Sequence, residues 1–118
     1  MSKDTSQSNY RRGIMSLVLL SLLATEDMYG YQIIEELACR SNNVFQMKAG
    51  TLYPLLHGLE KKGFLESYEE HADSARVRKY YRLTQKGKKF LQEKTDEWKE
   101  YSSAVSKILE GGLCCECF

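Results

Sequence analysis

The chain reads as a mainly α-helical α+β domain in which four helices carry one small antiparallel β hairpin. Three observations predict it. Apolar residues recur at helical spacing in four separate stretches. Two short aromatic and β-branched runs, residues 64–69 and 77–83, lie together between the third and fourth stretches. At 118 residues the chain is long enough for one modest core and too short for two.

Residues 1–9 are polar and are expected to form a flexible tail, with none of the basic start, apolar run and cleavage site of a signal peptide. The first helix is predicted over residues 10–24. Between Ile14 and Leu23 it is apolar on nearly every side, which suits a helix at the centre of the domain. This apolar run is about half the length of a membrane span and contains Ser16 and Ser21, so a soluble cytoplasmic protein is expected. Residues 25–28 read as a break. A second helix follows from Gly30 to Cys39 or Arg40, with Ile33, Ile34, Leu37 and Ala38 inward and Cys39 expected as a small buried residue. Ser41-Asn42-Asn43 ends it, because these side chains compete for the backbone.

The third helix carries Leu52, Leu55, Leu56 and Leu59 as one stripe and Thr51, Tyr53, His57 and Lys61 on its other face. Pro54 is placed within about the first turn, where a missing N–H matters least. Gly63 stops the helix behind Lys61 and Lys62. The two strands come next. Their connection, residues 70–75, is polar and longer than a tight turn, which predicts a projecting wing with a mobile tip. Tyr80 and Tyr81 alternate sides of a strand, so one of them belongs in the core.

Thr84 is a suitable N-cap for a last helix that runs to about Glu110 and stops at Gly111-Gly112. Leu91, Lys94, Trp98, Tyr101, Val105 and Ile108 alternate spacings of three and four, the seam of a two-helix packing interrupted by Lys94. So long a helix exceeds what this domain can cover, and a second copy of the chain is the expected partner. Trp98 and Tyr101 are in addition candidates for stacking a flat aromatic effector. The expected organisation is a tail over 1–9, a DNA-binding unit over 10–83, a dimerisation helix over 84–111 and a cysteine-bearing tail over 112–118.

Net charge is only +1, but its distribution is segregated. Residues 76–89 hold seven cations and no acid, whereas residues 66–73 are acidic. A local basic block points to an anionic partner more directly than the whole-chain charge does. Three helices, a two-stranded wing and a long helix follow the order of a winged helix-turn-helix, whose third helix enters the major groove of duplex DNA. On that plan Thr51, Tyr53 and His57 reach base edges. Lys48, Lys61, Arg76, Arg78 and Lys79 pair with phosphates, which set affinity and register. The competing reading is a winged-helix module that binds protein and not DNA, against which the basic block argues. An enzyme is not expected, because no nucleophile-and-base pair, glycine-rich phosphate loop or paired carboxylates stand out. Neither cofactor nor metal is expected. Cys114, Cys115 and Cys117 form one C-x-x-C without a second ligand pair.

Met28-Tyr29-Gly30-Tyr31-Gln32-Ile33, Gly50-Thr51-Leu52-Tyr53-Pro54-Leu55-Leu56, Leu59-Glu60-Lys61-Lys62-Gly63 and Arg78-Lys79-Tyr80-Tyr81-Arg82-Leu83-Thr84 together resemble the PadR family of bacterial transcriptional regulators. The similarity runs over residues 14–87, and the final helix matches in character. The resemblance implies a dimeric winged-helix repressor with its dimer contact on the C-terminal helix. It also implies control of stress, detoxification or efflux genes, relieved by a small, often aromatic compound. A single short C-terminal helix is similar to the smaller of the family's two size classes, and the cysteine tail is outside the family pattern.

Overall fold

The computed structural model describes residues 2–73 and 76–111. Four helices and three short strands follow one another as α1 (Ser2–Thr25), β1 (Met28–Tyr29), α2 (Gly30–Arg40), α3 (Ala49–Lys61), β2 (Leu65–Asp73), β3 (Arg76–Leu83) and α4 (Gln85–Glu110). The cysteine tail and the tip of the wing lie outside the described residues.

Helix α1 begins at Ser2, well before the start near Tyr10 that the polar composition suggests. Extending a helix from an existing nucleus costs far less than starting one, so polar residues suffice. Its Leu19, Leu20, Leu22 and Leu23 are all buried, over an arc wide enough to touch α2, α3 and the sheet. The sheet itself differs from a plain hairpin. Strand order is β1-β3-β2, all antiparallel, with Met28 paired to Tyr81 and Tyr29 to Tyr80. A two-residue strand shows no alternation of its own, which is why residues 25–28 read as a simple break.

Helix α2 buries Ile33 and Leu37, and its C-terminus is closed by Ser41. The Ser41 hydroxyl donates to the Leu37 carbonyl at 2.8 Å and accepts from the Phe45 N–H at 2.9 Å. Asn42 and Asn43 then turn the chain with φ of 53° and 67°, a region asparagine tolerates. Cys39 is exposed, contrary to the buried place expected for it. It lies off the stripe through Ile33 and Leu37 that faces the core.

Helix α3 buries Leu52, Leu56 and Leu59, with Leu55 half-buried. Pro54 lies in the second turn and not the first, so the Gly50 carbonyl loses its intrahelical donor. Gly50 is exposed, and solvent can serve that oxygen. The helix ends in a Schellman turn: Gly63 N–H donates to the Glu60 carbonyl and Phe64 N–H to the Leu59 carbonyl, both at 3.0 Å. Gly63 has φ 85°, the left-handed conformation this turn requires.

Strands β2 and β3 pair from Leu65↔Leu83 out to Asp73↔Arg76, with a register shift between His71 and Asp73. The predicted long connection is therefore mostly strand, because cross-strand backbone bonds hold even the polar residues. Tyr81 is the core tyrosine at 1% exposure, and Tyr80 faces outward. Thr84 ties the pieces together. Its hydroxyl donates to the Gly63 carbonyl at 2.7 Å and accepts from the Gly87 N–H at 2.9 Å, capping α4. Phe90 stacks on Phe64 at 4.1 Å, seating α4 against the end of α3 and alongside α1. No helix among the described residues is long and apolar enough to cross a membrane.

Candidate nucleic-acid interface

At 100° per residue, the direction opposite Leu52, Leu56 and Leu59 on α3 is occupied by Gly50, Pro54, His57 and Lys61. His57 and Lys61 are exposed on this face. Thr51 and Tyr53, expected beside them, flank it on opposite sides, about 160° apart around the axis. Thr51 borders a cleft against α1, whereas Tyr53 leans over the start of α2. A Cβ at Gly30 would overlap the Tyr53 hydroxyl and ring, so this tyrosine packs the helix pair as well as showing a 39% exposed surface. Hydrophobic spacing alone revealed the leucine stripe but did not divide the polar side into a centre and two edges.

Gly50, Pro54 and Gly58 were not singled out by residue chemistry. A Cβ at either glycine would meet nothing within 4 Å, so the folded chain itself does not require them. Each weakens the helix by about 1 kcal/mol relative to alanine. Their effect is a low outer surface that leaves His57 and Lys61 standing clear.

The wing distributes its cations differently from the sequence reading. Glu66, Glu69 and Glu70 pair across the ladder with Arg82, Lys79 and Arg78, so the block that is acid-free along the chain faces acid in space. Arg82 Nε lies 2.9 Å from Glu66 Oε2 on the surface, a contact of small net value. Alternation places Lys79 on the α3 side of the sheet with Tyr81, and Arg76 and Arg78 on the opposite face with Tyr80. Arg76 and Lys79 are exposed. Arg78 is half-buried, its guanidinium 4.5 Å above the Tyr29 ring.

That outer face is a ladder of aromatic rings. Tyr29 meets Tyr80 edge-on at 5.5 Å, and Tyr80 stacks on Tyr68 at 5.7 Å. Arg82 covers Tyr68 at 4.9 Å. The Tyr68 hydroxyl donates to Asp27 Oδ2 at 2.6 Å. This bond, with desolvation and the charges of Asp27 and Glu70, pushes the phenol up to about 12 against the opposing Arg82. On the other face, burial raises the Tyr81 phenol, while nearby Lys79 works the other way. Ser67 Oγ donates to Glu60 Oε2 at 2.7 Å, fastening β2 to α3. Wing and third helix are thus joined at the base of the wing, through the Gly63 turn and the Ser67–Glu60 bond.

On α4, Leu91 is half-buried but Trp98, Tyr101 and Val105 are 40%, 57% and 38% exposed, and Ile108 and Leu109 still more so. Lys94, which interrupts the seam, reaches Glu97 at 3.2 Å. The Trp98 and Tyr101 rings lie 6.3 Å apart and, with Ile14, Leu17 and Phe90, line a cleft of about 600 Å³ between α1 and α4. Among the described residues no three His, Cys, Asp or Glu side chains gather as metal ligands.

A family profile for PadR-like transcriptional regulators matches residues 19–93. An uncharacterised protein of Lysinibacillus sphaericus is 39% identical over 105 residues, covering 89% of this chain and 96% of the relative. A transcriptional regulator of Mycobacterium tuberculosis is 32% identical over 102 residues, with coverages of 86% and 89%. A solved PadR family regulator from Eggerthella lenta superposes with a TM-score of 0.74 at 34% identity, over 92% of each chain. The match spans α2, α3, the whole wing and the start of α4, the same elements that carry the outward-facing third helix. The chain belongs to the PadR-like family of transcriptional regulators, which are DNA-binding proteins and not enzymes.

Proposed function

We propose that the chain acts as a homodimeric repressor that holds two copies of α3 in successive major grooves and is released by a small aromatic effector. The observation that carries this reading is the exposed apolar row Trp98, Tyr101, Val105, Ile108 and Leu109, on a helix tied through Thr84 and Phe64 to the end of α3. Burying side chains of this kind is worth about 1.5–3 kcal/mol each. Five of them supply on the order of 10 kcal/mol, the scale needed against the roughly 4–15 kcal/mol lost on association. A two-fold axis through α4 presents both third helices to one side of a duplex, where half-sites repeat about every 34 Å.

In this reading His57 is the central base-reading group, Thr51 and Tyr53 act from the flanks, and Lys48, Lys61, Arg76 and Lys79 take phosphates. Arg78 contributes through its stack on Tyr29. Neutralising roughly six to eight phosphates per dimer gives a slope of log K against log salt of about −5 to −7. The acidic partners on β2 favour the lower figure and lend some weight to a protein-binding wing. Light scattering tests the dimer, and a gel shift on the gene's own upstream region at several salt concentrations tests the DNA reading. A salt-insensitive or absent shift refutes it. For the effector, Trp98 fluorescence titrated with planar aromatic compounds is expected to quench, and a flat response across a broad panel refutes that part alone.

A further inference from the structure

Helix α3 carries one acid, Glu60, among its 13 residues. A carboxylate is out of keeping with its surroundings: His57 and Lys61 carry no negative charge, and the lead-in over residues 44–48 holds no acid. At 100° per residue, Glu60 leaves the helix only about 60° around the axis from His57 and about 4.5 Å along it. The two side chains, with Pro54, Gly58 and Lys61, line one shallow depression of about 540 Å³ on the exposed side of α3. An unrestrained carboxylate at this position would swing over that depression. In a major groove it would then face the phosphates on either wall, and like charges a few ångströms apart repel.

The fold turns this charge aside. Ser67 Oγ donates to Glu60 Oε2 at 2.7 Å from the α3 side of the wing, and both residues are half-buried. Strand register puts the serine there, because Ser67 pairs with Tyr81 and shares its core-facing side of the sheet. The Tyr81 phenol marks the same seam: burial raises it, Lys79 opposes the rise, and the charge of Glu60 adds to it. Among the described residues no lysine or arginine comes within ion-pair distance of Glu60, so a neutral hydroxyl is what holds the acid. A hydrogen bond to a carboxylate is roughly twice as strong as one between neutral groups, which suits it to that task. We infer that Ser67 is a positioning residue for DNA binding, whose hydroxyl draws the Glu60 carboxylate onto the wing and clears the reading face of negative charge. The inference rests on α3 being the helix that enters the groove. Ser67 touches no DNA in this arrangement. It acts through where the charge of Glu60 comes to rest.

Fluorescence anisotropy of the full-length protein tests this on a duplex from the gene's own upstream region, and on an unrelated duplex at low salt. Ser67→Ala frees the carboxylate and is expected to weaken binding about fivefold, the scale for one charge facing two phosphates through several ångströms of water. That loss is expected to shrink as salt is raised. Glu60→Gln is expected to bind at least as tightly as wild type. Ser67→Ala/Glu60→Gln is expected to return to within about twofold of Glu60→Gln, since the charge that the serine restrains is gone. The double variant lacks the charged bond as completely as Ser67→Ala does. A bond that merely fastens the wing therefore predicts that the double variant binds no better than the single one. Thermal unfolding of each variant, which registers the lost bond in both, keeps folding and binding apart. Unchanged affinity in Ser67→Ala, a double variant as weak as Ser67→Ala, or a Glu60→Gln weaker than wild type overturns the inference and leaves the bond as a strut, while DNA binding by α3 stands. Wild-type protein that binds neither duplex removes the groove-reading role of α3 itself.

Discussion

Gly63→Ala isolates a backbone effect at the joint between α3 and the wing. The glycine holds φ 85° as the left-handed residue of a Schellman turn, and its carbonyl accepts from Thr84. Space is not the obstacle. An added Cβ finds its nearest heavy atoms at 3.5 Å, on the Lys86 side chain, which is ordinary contact. The cost is therefore conformational, about 1–2 kcal/mol for an L residue in this region. It is offset by the roughly 0.4–1 kcal/mol gained when the unfolded chain loses freedom. The net destabilisation is about 1 kcal/mol, which lowers the melting temperature of a domain this size by about 4 °C. Thermal unfolding followed by circular dichroism, at one fixed protein concentration, measures it. Gly63→Asn, whose side chain tolerates the left-handed region, is expected to recover part of the loss. The reasoning is refuted if the alanine variant melts at or above wild type, or if asparagine is as damaging as alanine.

Gly30→Ala tests space and not φ: its Cβ collides with Tyr53, and overpacking is expected to cost about 1–3 kcal/mol, partly regained in Gly30→Ala/Tyr53→Phe. Recovery failing in the double variant would point away from the hydroxyl contact. Thr84→Val removes the acceptor for Gly87 and the donor to Gly63, and a loss of about 1–2 kcal/mol in urea unfolding is expected. Tyr68 carries the pH prediction. Its phenol is raised to about 12 from 10.0, so the folded state holds this proton more tightly than the unfolded one. The stabilisation is fully present below pH 10 and is lost as pH rises toward 12. Phenolate absorbance should show one late-titrating tyrosine fewer in Tyr68→Phe than in wild type, where the buried Tyr81 is also raised, and identical titrations would contradict the Asp27 bond.

Much of this protein follows from contacts between residues close in the chain. The ends of α2 and α3, the left-handed Gly63, the Thr84 cap and the leucine stripe of α3 each depend on partners within a few positions, so local order is enough to read them. The apolar α1 and the unpartnered seam of α4 are likewise patterns of spacing. Tertiary structure decided what depends on residues far apart. Met28–Tyr29 is a strand only because β3 arrives beside it, and the Arg76 to Lys89 block lost its isolation when β2 laid Glu66, Glu69 and Glu70 across from it. Packing over Gly30 drew Tyr53 to one flank of α3, and strand alternation sent Arg78 to the face opposite Lys79. Helical and strand periods say which residues share a face, whereas which face meets another element is settled only by where the distant chain segments come to rest.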